Sequence, residues 1–179
     1  GDLSDSDDEA PVNISVSNAA VHDSCVMHHP FSIRFTQSSI NHTFRNGMSL
    51  DRTISQVRGG YLDPSVFPAL EVVLHNDMLF SLSNRRLFLF RVLAKFGLVS
   101  EVKTILFDAE SRRVLRKKWD CRLKRRATKW ERSYSTKNSG FYVHVRSEYF
   151  SQQFIPDGWV DDGEQSYVMV QPLRGNGPL

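Results

Sequence analysis

The residues best placed to do chemistry stand together at Ser83-Asn84-Arg85-Arg86. They lie between the apolar run Met78-Leu-Phe-Ser-Leu82 and a block in which Leu87, Phe90, Leu93, Ala94 and Phe96 recur near helical spacing before Gly97. That order predicts a strand, a tight turn and a helix, with Ser83 as the N-cap and Gly97 as the stop. Two arginines in a first helical turn are unfavourable, because the helix dipole already places partial positive charge there and each added cation costs about 0.3–1 kcal/mol. An anionic guest would offset that cost. Backbone N–H groups at a helix start, two guanidinium forks, a hydroxyl and an amide form a donor set suited to phosphate oxygens. The bland alternative is a surface turn whose arginines pair with carboxylates elsewhere.

The elements that must position this turn can be read on either side of it. Leu70–His75 and Met78–Leu82 are β-rich runs flanking Asn76-Asp77, which predicts a hairpin that delivers the chain to the arginines. Upstream, Phe31-Ser-Ile-Arg-Phe35 alternates like a half-buried strand, Thr36-Gln37-Ser38-Ser39 makes a polar corner, and Asn46-Gly47 marks a turn. Ser49 can cap a helix over Leu50–Val57, which Gly59-Gly60 would end, and Val102–Phe107 reads as another strand. The expected class is α+β: a small mixed β-sheet with packed helices.

Leu82-Ser-Asn-Arg-Arg-Leu87, after a short strand and opening a helix, resembles the Gly-Glu-Arg-Arg box of the ParB/sulfiredoxin-like family. Ser83 stands in place of the glycine and Asn84 in place of the glutamate. Phe35-Thr-Gln-Ser-Ser-Ile40 with Phe44, and a closing pair of segments at Lys129–Gly140 and Phe141–Arg146 read as strand, turn and strand, are similar to toxin-associated members of that group. The resemblance covers about residues 31–146 and implies a ParB-like domain over 25–150. It implies nucleotide or nucleic-acid phosphates bound at Ser83, Asn84, Arg85 and Arg86, with Gln37, Ser38 and Arg45 as further donors. It also implies a nucleoside triphosphate with Mg²⁺ as cofactor, and phosphotransfer or nuclease activity. Sulfiredoxin chemistry is set aside, because its reactive cysteine belongs inside the turn and neither Cys25 nor Cys121 is near it in sequence. Asn84 cannot act as a general base or bind Mg²⁺ as an anion. Either the turn binds anions without turning them over, or a carboxylate such as Asp51 or Asp77 takes the glutamate's place.

Charge is segregated along the 179 residues although the net charge is only +3. Asp2, Asp5, Asp7, Asp8 and Glu9 dominate the start, and residues 1–24 read as a disordered acidic leader. Residues 110–132 hold eleven Arg or Lys against three acids. Asp108 is expected to cap a basic amphipathic helix over 109–126, with Val114, Leu115, Trp119 and Leu123 as its apolar stripe. Arg112, Arg113, Arg116, Lys117, Lys118, Arg122, Lys124, Arg125 and Arg126 would face outward. Such a face suits nucleic-acid phosphates, an anionic membrane surface or an acidic protein, and the leader would compete for it.

Two cysteines make neither a disulfide framework nor a zinc site, and the adjacent His28 and His29 would point to opposite faces of an extended chain. No apolar run reaches membrane-span length, so the expected location is intracellular, nuclear or cytoplasmic. Residues 151–179 read as a C-terminal extension with an edge strand at Tyr167–Val170. Two classes of function follow. One is a ParB-like phosphate-binding domain, with or without catalysis. The other is a non-catalytic interaction module with a degenerate site and a basic docking helix.

Overall fold

The structure, a computed structural model, describes residues 25–107, 115–141 and 143–146, together with the strands at 159–161 and 166–169. The leader, Arg112 and Arg113 fall outside the described residues. The chain forms an α+β fold. Its main sheet has five strands in the order β1 (Cys25–His28), β6 (Val102–Phe107), β4 (Leu70–His75), β5 (Met78–Ser81) and β2 (Ile33–Phe35). β1 runs antiparallel to β6, β6 parallel to β4, β4 antiparallel to β5, and β5 parallel to β2. A second sheet has the order β10 (Trp159–Asp161), β11 (Ser166–Met169), β9 (His144–Arg146) and β3 (Ser39–Asn41).

The expected hairpin forms in register, with His75 opposite Met78. Asn76 and Asp77 both take left-handed backbone, φ 49° and 59°, as a type I′ connection requires. Helix α1 (Leu50–Arg58) begins where Ser49 predicts, its hydroxyl accepting from the Arg52 N–H at 3.3 Å. Helix α2 (Asn84–Lys95) also begins and ends near its predicted bounds. Ser83 occupies its N-cap position, yet the hydroxyl makes no capping bond, and the Ser83 N–H donates to Ser81 Oγ at 2.9 Å.

The two faces of the main sheet separate by alternation. Leu70 and Val72 of β4, with Ile33 and Phe35 of β2, face a core completed by Leu50 and Ile54 of α1 and by Leu87, Phe88, Leu89 and Leu93 of α2. Ile40 and Val145, paired across β3 and β9, join the same core from the second sheet. Helix α2 is buried along residues 84–93, its arginines included. An amphipathic surface helix would leave one face polar and wet; this one lies inside the domain.

Four segments depart from the sequence reading. Pro30–Ser32 is a 3₁₀ turn rather than the start of a strand, capped by His29 Nδ1, which accepts from the Phe31 N–H at 3.2 Å. The expected basic helix is replaced over its second half by a hairpin of β7 (Lys118–Asp120) and β8 (Arg125–Ala127). A helix would stack Lys118 on Arg122 and Arg122 on Arg126 at i, i+4, which is repulsive. The hairpin spreads these charges, with Asp120 Oδ1 accepting from the Leu123 N–H at 2.8 Å and Lys124 closing the turn at φ 53°. Residues expected to begin a strand form helix α3 (Lys129–Ser133). The strand expected at the sheet edge, β11, is paired on both sides.

The start of α3 follows from a capping box. The Thr128 hydroxyl accepts from the Glu131 N–H at 3.1 Å, and Glu131 Oε2 accepts from the Thr128 N–H at 2.7 Å. That backbone bond, and next the bond from Arg125, hold the Glu131 carboxyl down at about 2 from an ordinary 4.5. A carboxyl whose pKa is lowered by folding contributes stability that is whole above its unfolded value and is lost as pH falls through its folded one. The expected result is a drop in denaturation midpoint between pH 4.5 and 2 that is larger in wild type than in Glu131→Gln, whose amide caps without titrating. Equal pH profiles for the two proteins would remove this role from Glu131.

Candidate functional site

The Ser-Asn-Arg-Arg turn sits at the centre of the domain. Asn84 is fully buried and clamps Thr36: its Oδ1 accepts from the Thr36 N–H at 2.9 Å, and its Nδ2 donates to Thr36 Oγ1 at 2.8 Å. The Thr36 hydroxyl donates onward to the Ser81 carbonyl at 2.8 Å. Thr36 O in turn accepts from the N–H groups of Ser135 and Thr136, at 2.8 and 2.9 Å. One amide therefore ties together the ends of β2 and β5, the start of α2 and the segment after α3. Satisfying both ends of a buried amide in this way fixes its orientation.

The arginines are committed inward as well. Arg85 is 4% exposed and its Nη1 donates to Thr43 O at 2.6 Å; Arg86 is 5% exposed and its Nη1 donates to Pro68 O at 3.1 Å and Ala69 O at 2.7 Å. Carbonyl oxygens of loops that carry no ladder bonds here take the place expected for phosphate oxygens. The cost of cations at the helix start is met by the chain's own carbonyl dipoles. At residues 84–86 the side chains expected to cradle an anion are buried and bonded within the protein.

A third arginine on α2, which the spacing argument passed over, completes the pattern. Arg91 is fully buried; its Nε donates to Pro30 O at 3.2 Å, its Nη1 to Phe141 O at 2.9 Å and its Nη2 to Ile33 O. Its guanidinium also lies 4.4 Å from the Phe35 ring centre. Burial, and secondarily the nearby Arg34 charge, pull Arg91 down to about 9, which leaves it a cation at neutral pH. Its position among Phe88, Phe90, Val92 and Leu93 was the available signal, since an arginine inside an apolar helical block has to reach a partner.

The remaining predicted site residues are dispersed. Gln37 and Ser38 are half-buried, with the Ser38 N–H donating to Ser135 Oγ at 3.3 Å and Ser38 O accepting from the His144 N–H at 3.0 Å. Arg45 is exposed, two residues beyond the carbonyl that Arg85 holds. Asp77 lies in the β4–β5 turn, at the opposite end of β5 from Ser83, and so does not supply the missing carboxylate. A cleft of about 280 Å³, lined by Met27, Asp63, Phe67, Phe90, Glu101 and Lys103 among others, includes none of residues 83–86. The Nη1 donors of Arg85 and Arg86 and both ends of the Asn84 amide, which a nucleoside triphosphate would have to draw on, are bonded to the protein, while Arg86 Nε is buried with no hydrogen-bond partner among the described residues. Among the described residues, no cluster of three or more His, Cys, Asp or Glu could hold a metal, and no helix is long and apolar enough to cross a membrane.

Exposed positive charge lies instead on the β7–β8 hairpin and its approach. Arg116, Lys117, Lys118, Arg122, Lys124, Arg125 and Arg126 are all exposed. The one acid inside the segment, Asp120, is 4% exposed and turned toward the protein. Arg125 pairs with Glu131 at 3.0 Å, and Arg122 Nη2 reaches the carbonyls of Glu131 and Arg132 at 3.5 and 3.4 Å, which fastens the hairpin to α3. Among the described residues, Arg116, Lys117, Lys118 and Lys124 have no acidic partner. Beneath α3, Trp130 and Tyr134 pack with His75 and Phe80, the ring centres 4.9–5.8 Å apart, against the second face of the main sheet. Lys129, 7% exposed, meets Glu71 at 3.5 Å. The hairpin thus rests on an anchored helix rather than on a loose loop.

No protein-family model, no curated protein and no solved structure matches the chain.

Proposed function

We propose that this domain binds nucleic acid through the phosphate backbone, with the β7–β8 hairpin and its approach as the contact surface. The turn that resembles the ParB-like box serves as the scaffold that holds α2 in place. The observation that carries this reading is the group of four exposed cations, Arg116, Lys117, Lys118 and Lys124, without an acidic partner among the described residues. Cations that serve only solubility are usually interspersed with acids. A run of one sign on an anchored hairpin is an electrostatic footprint for a polyanion. The buried arginines support the division of labour, because a guanidinium that is both buried and bonded to main-chain carbonyls contributes to the fold and is not offered to a ligand.

Affinity for a random oligonucleotide should fall steeply with salt, because each neutralised phosphate releases a counterion. Changing Arg116, Lys117, Lys118 and Lys124 together to Gln should lower the log–log salt slope by about 3 for a single strand, about 0.7 per lost contact. Changing Arg85 and Arg86 should act on folding first. Binding that is absent, or indifferent to salt, counts against the proposal. Binding that survives the fourfold change with its slope intact would move the contact surface elsewhere.

A further inference from the structure

We infer that Trp119 is a stacking platform for an unpaired base, so that the hairpin takes single-stranded nucleic acid in preference to duplex. This rests on the phosphate-binding reading above and adds to it the form of the ligand.

The placement of the ring follows from strand register. Trp119 pairs with Arg126, and its neighbour Asp120 pairs with Arg125. Successive residues on a strand point to opposite faces and directly paired residues share one. Asp120 and Ala127 are 4% and 0% exposed, so their face packs on the protein at those two positions, with Lys118 and Arg125 of the same face reaching out to solvent at its edges, and Trp119 with Arg126 occupies the opposite, outer face. Trp119 is 63% exposed there. Of the exposed large apolar side chains among the described residues, it is the one placed within the positive segment by strand pairing.

The charges beside it are arranged for a strand lying across the ring. Arg126 shares the outer face, and its Nη2 donates to Lys117 O at 3.2 Å, which holds the guanidinium in place; among the described residues its other N–H groups have no partner and can turn to phosphate. Arg122 and Lys124 lie in the turn, one residue either side of Leu123. An aromatic face for the base with cations flanking it for the backbone is the combination that single-strand binding surfaces use, and every base offers a π-face. In a duplex the base faces are already stacked on one another, so a protruding indole reaches only edges and phosphates.

The same residues argue against a bilayer as the occupant. A membrane-seeking element keeps an apolar face together. The tip of this hairpin is Cys121-Arg122-Leu123-Lys124, with both cations exposed and Leu123 half-buried, so insertion would carry charge inward with the ring.

The test uses the full chain and three probes at fixed moderate salt: a labelled oligo-dT of 20 nucleotides, the same strand annealed to oligo-dA, and vesicles rich in phosphatidylserine. Binding of oligo-dT at least tenfold tighter than duplex is expected. Trp119→Ala should weaken oligo-dT binding by about five- to 150-fold, the range for loss of one base–aromatic stack, and leave duplex binding within about twofold. Trp119→Phe should keep most of the preference. Equal affinity for the two forms, or oligo-dT binding within twofold of wild type in Trp119→Ala, overturns the stacking inference, while binding to both forms leaves the phosphate reading standing. Failure to bind either form overturns both, and binding to vesicles alone replaces them with a membrane surface.

Discussion

Arg91→Met is expected to destabilise the domain by about 3 kcal/mol or more, the sum to be anticipated when several buried acceptors lose their donor at about 1–3 kcal/mol each. The methionine side chain fills comparable space without an N–H group. It would strip the Arg91 donor from the carbonyls of Ile33 and Phe141 and leave Pro30 O with the Ile33 N–H in place of two donors. These acceptors lie 61, 58 and 50 residues away in sequence, so the loss would loosen α2 from both β2 and the turn before β9. Arg91→Lys keeps a cation and also loses stability, because a compact ammonium cannot span three carbonyls that a planar fork reaches together. Urea melts monitored by far-ultraviolet circular dichroism would measure both variants. A loss below about 1 kcal/mol for Met would mean that the three carbonyls find other donors, since that is the net worth of a single ordinary hydrogen bond.

The second large effect is expected at Gly140. Its backbone has φ +77°, and a Cβ there would stand 2.3 Å from Phe35 O and 2.8 Å from Arg34 Cβ. The carbonyl in the way belongs to a buried strand. Gly140 O meanwhile accepts from the Phe35 N–H at 2.9 Å, so the two chains cannot part without breaking that bond. Gly140→Ala is therefore expected to cost about 2–4 kcal/mol, combining left-handed strain with displacement of a close-packed main chain. Gly47 provides the control. It has φ +83° with nothing within 4 Å of the added carbon, so Gly47→Ala should lose only the conformational part, about 1 kcal/mol. Equal losses at the two positions would show that the approach of Gly140 to β2 carries no weight.

These two sites explain why the Ser-Asn-Arg-Arg turn reads so differently in three dimensions. Asn84, Arg85, Arg86 and Arg91 each reach a distant segment by a side-chain hydrogen bond: to Thr36, Thr43, Pro68 with Ala69, and Pro30 with Ile33 and Phe141. Together they form a polar frame that closes carbonyls left over where strands stop and loops begin. A buried carbonyl without a donor is costly, and a guanidinium on a central helix can serve several at once. The features that resemble a phosphate box are thus the features from which this frame is built. The run of exposed cations at 116–118 and 122–126 lies on a segment with no motif of that box, the hairpin at 118–127 and its approach.

What the chain determined locally was legible without coordinates. Ser49 with Ile54 and Val57 set α1, Asn76-Asp77 between two β-rich runs set the β4–β5 hairpin, and the apolar recurrence from Leu87 to Phe96 with Gly97 set α2. In each case the signal is a cap, a turn or a period contained within a dozen residues. Thr128 and Glu131 held a signal of the same kind for α3, obscured by a Trp and a Tyr that read as strand formers. Tertiary structure alone decided which way the arginines face. Arg85 turns inward because Thr43 O, 42 residues away, is brought within reach, and Trp119 turns outward because Asp120 and Ala127, on the opposite face of the hairpin, are buried. Side-chain direction at such positions depends on partners that sequence spacing does not bring together, and it is this direction that separates a framework residue from one presented to a ligand.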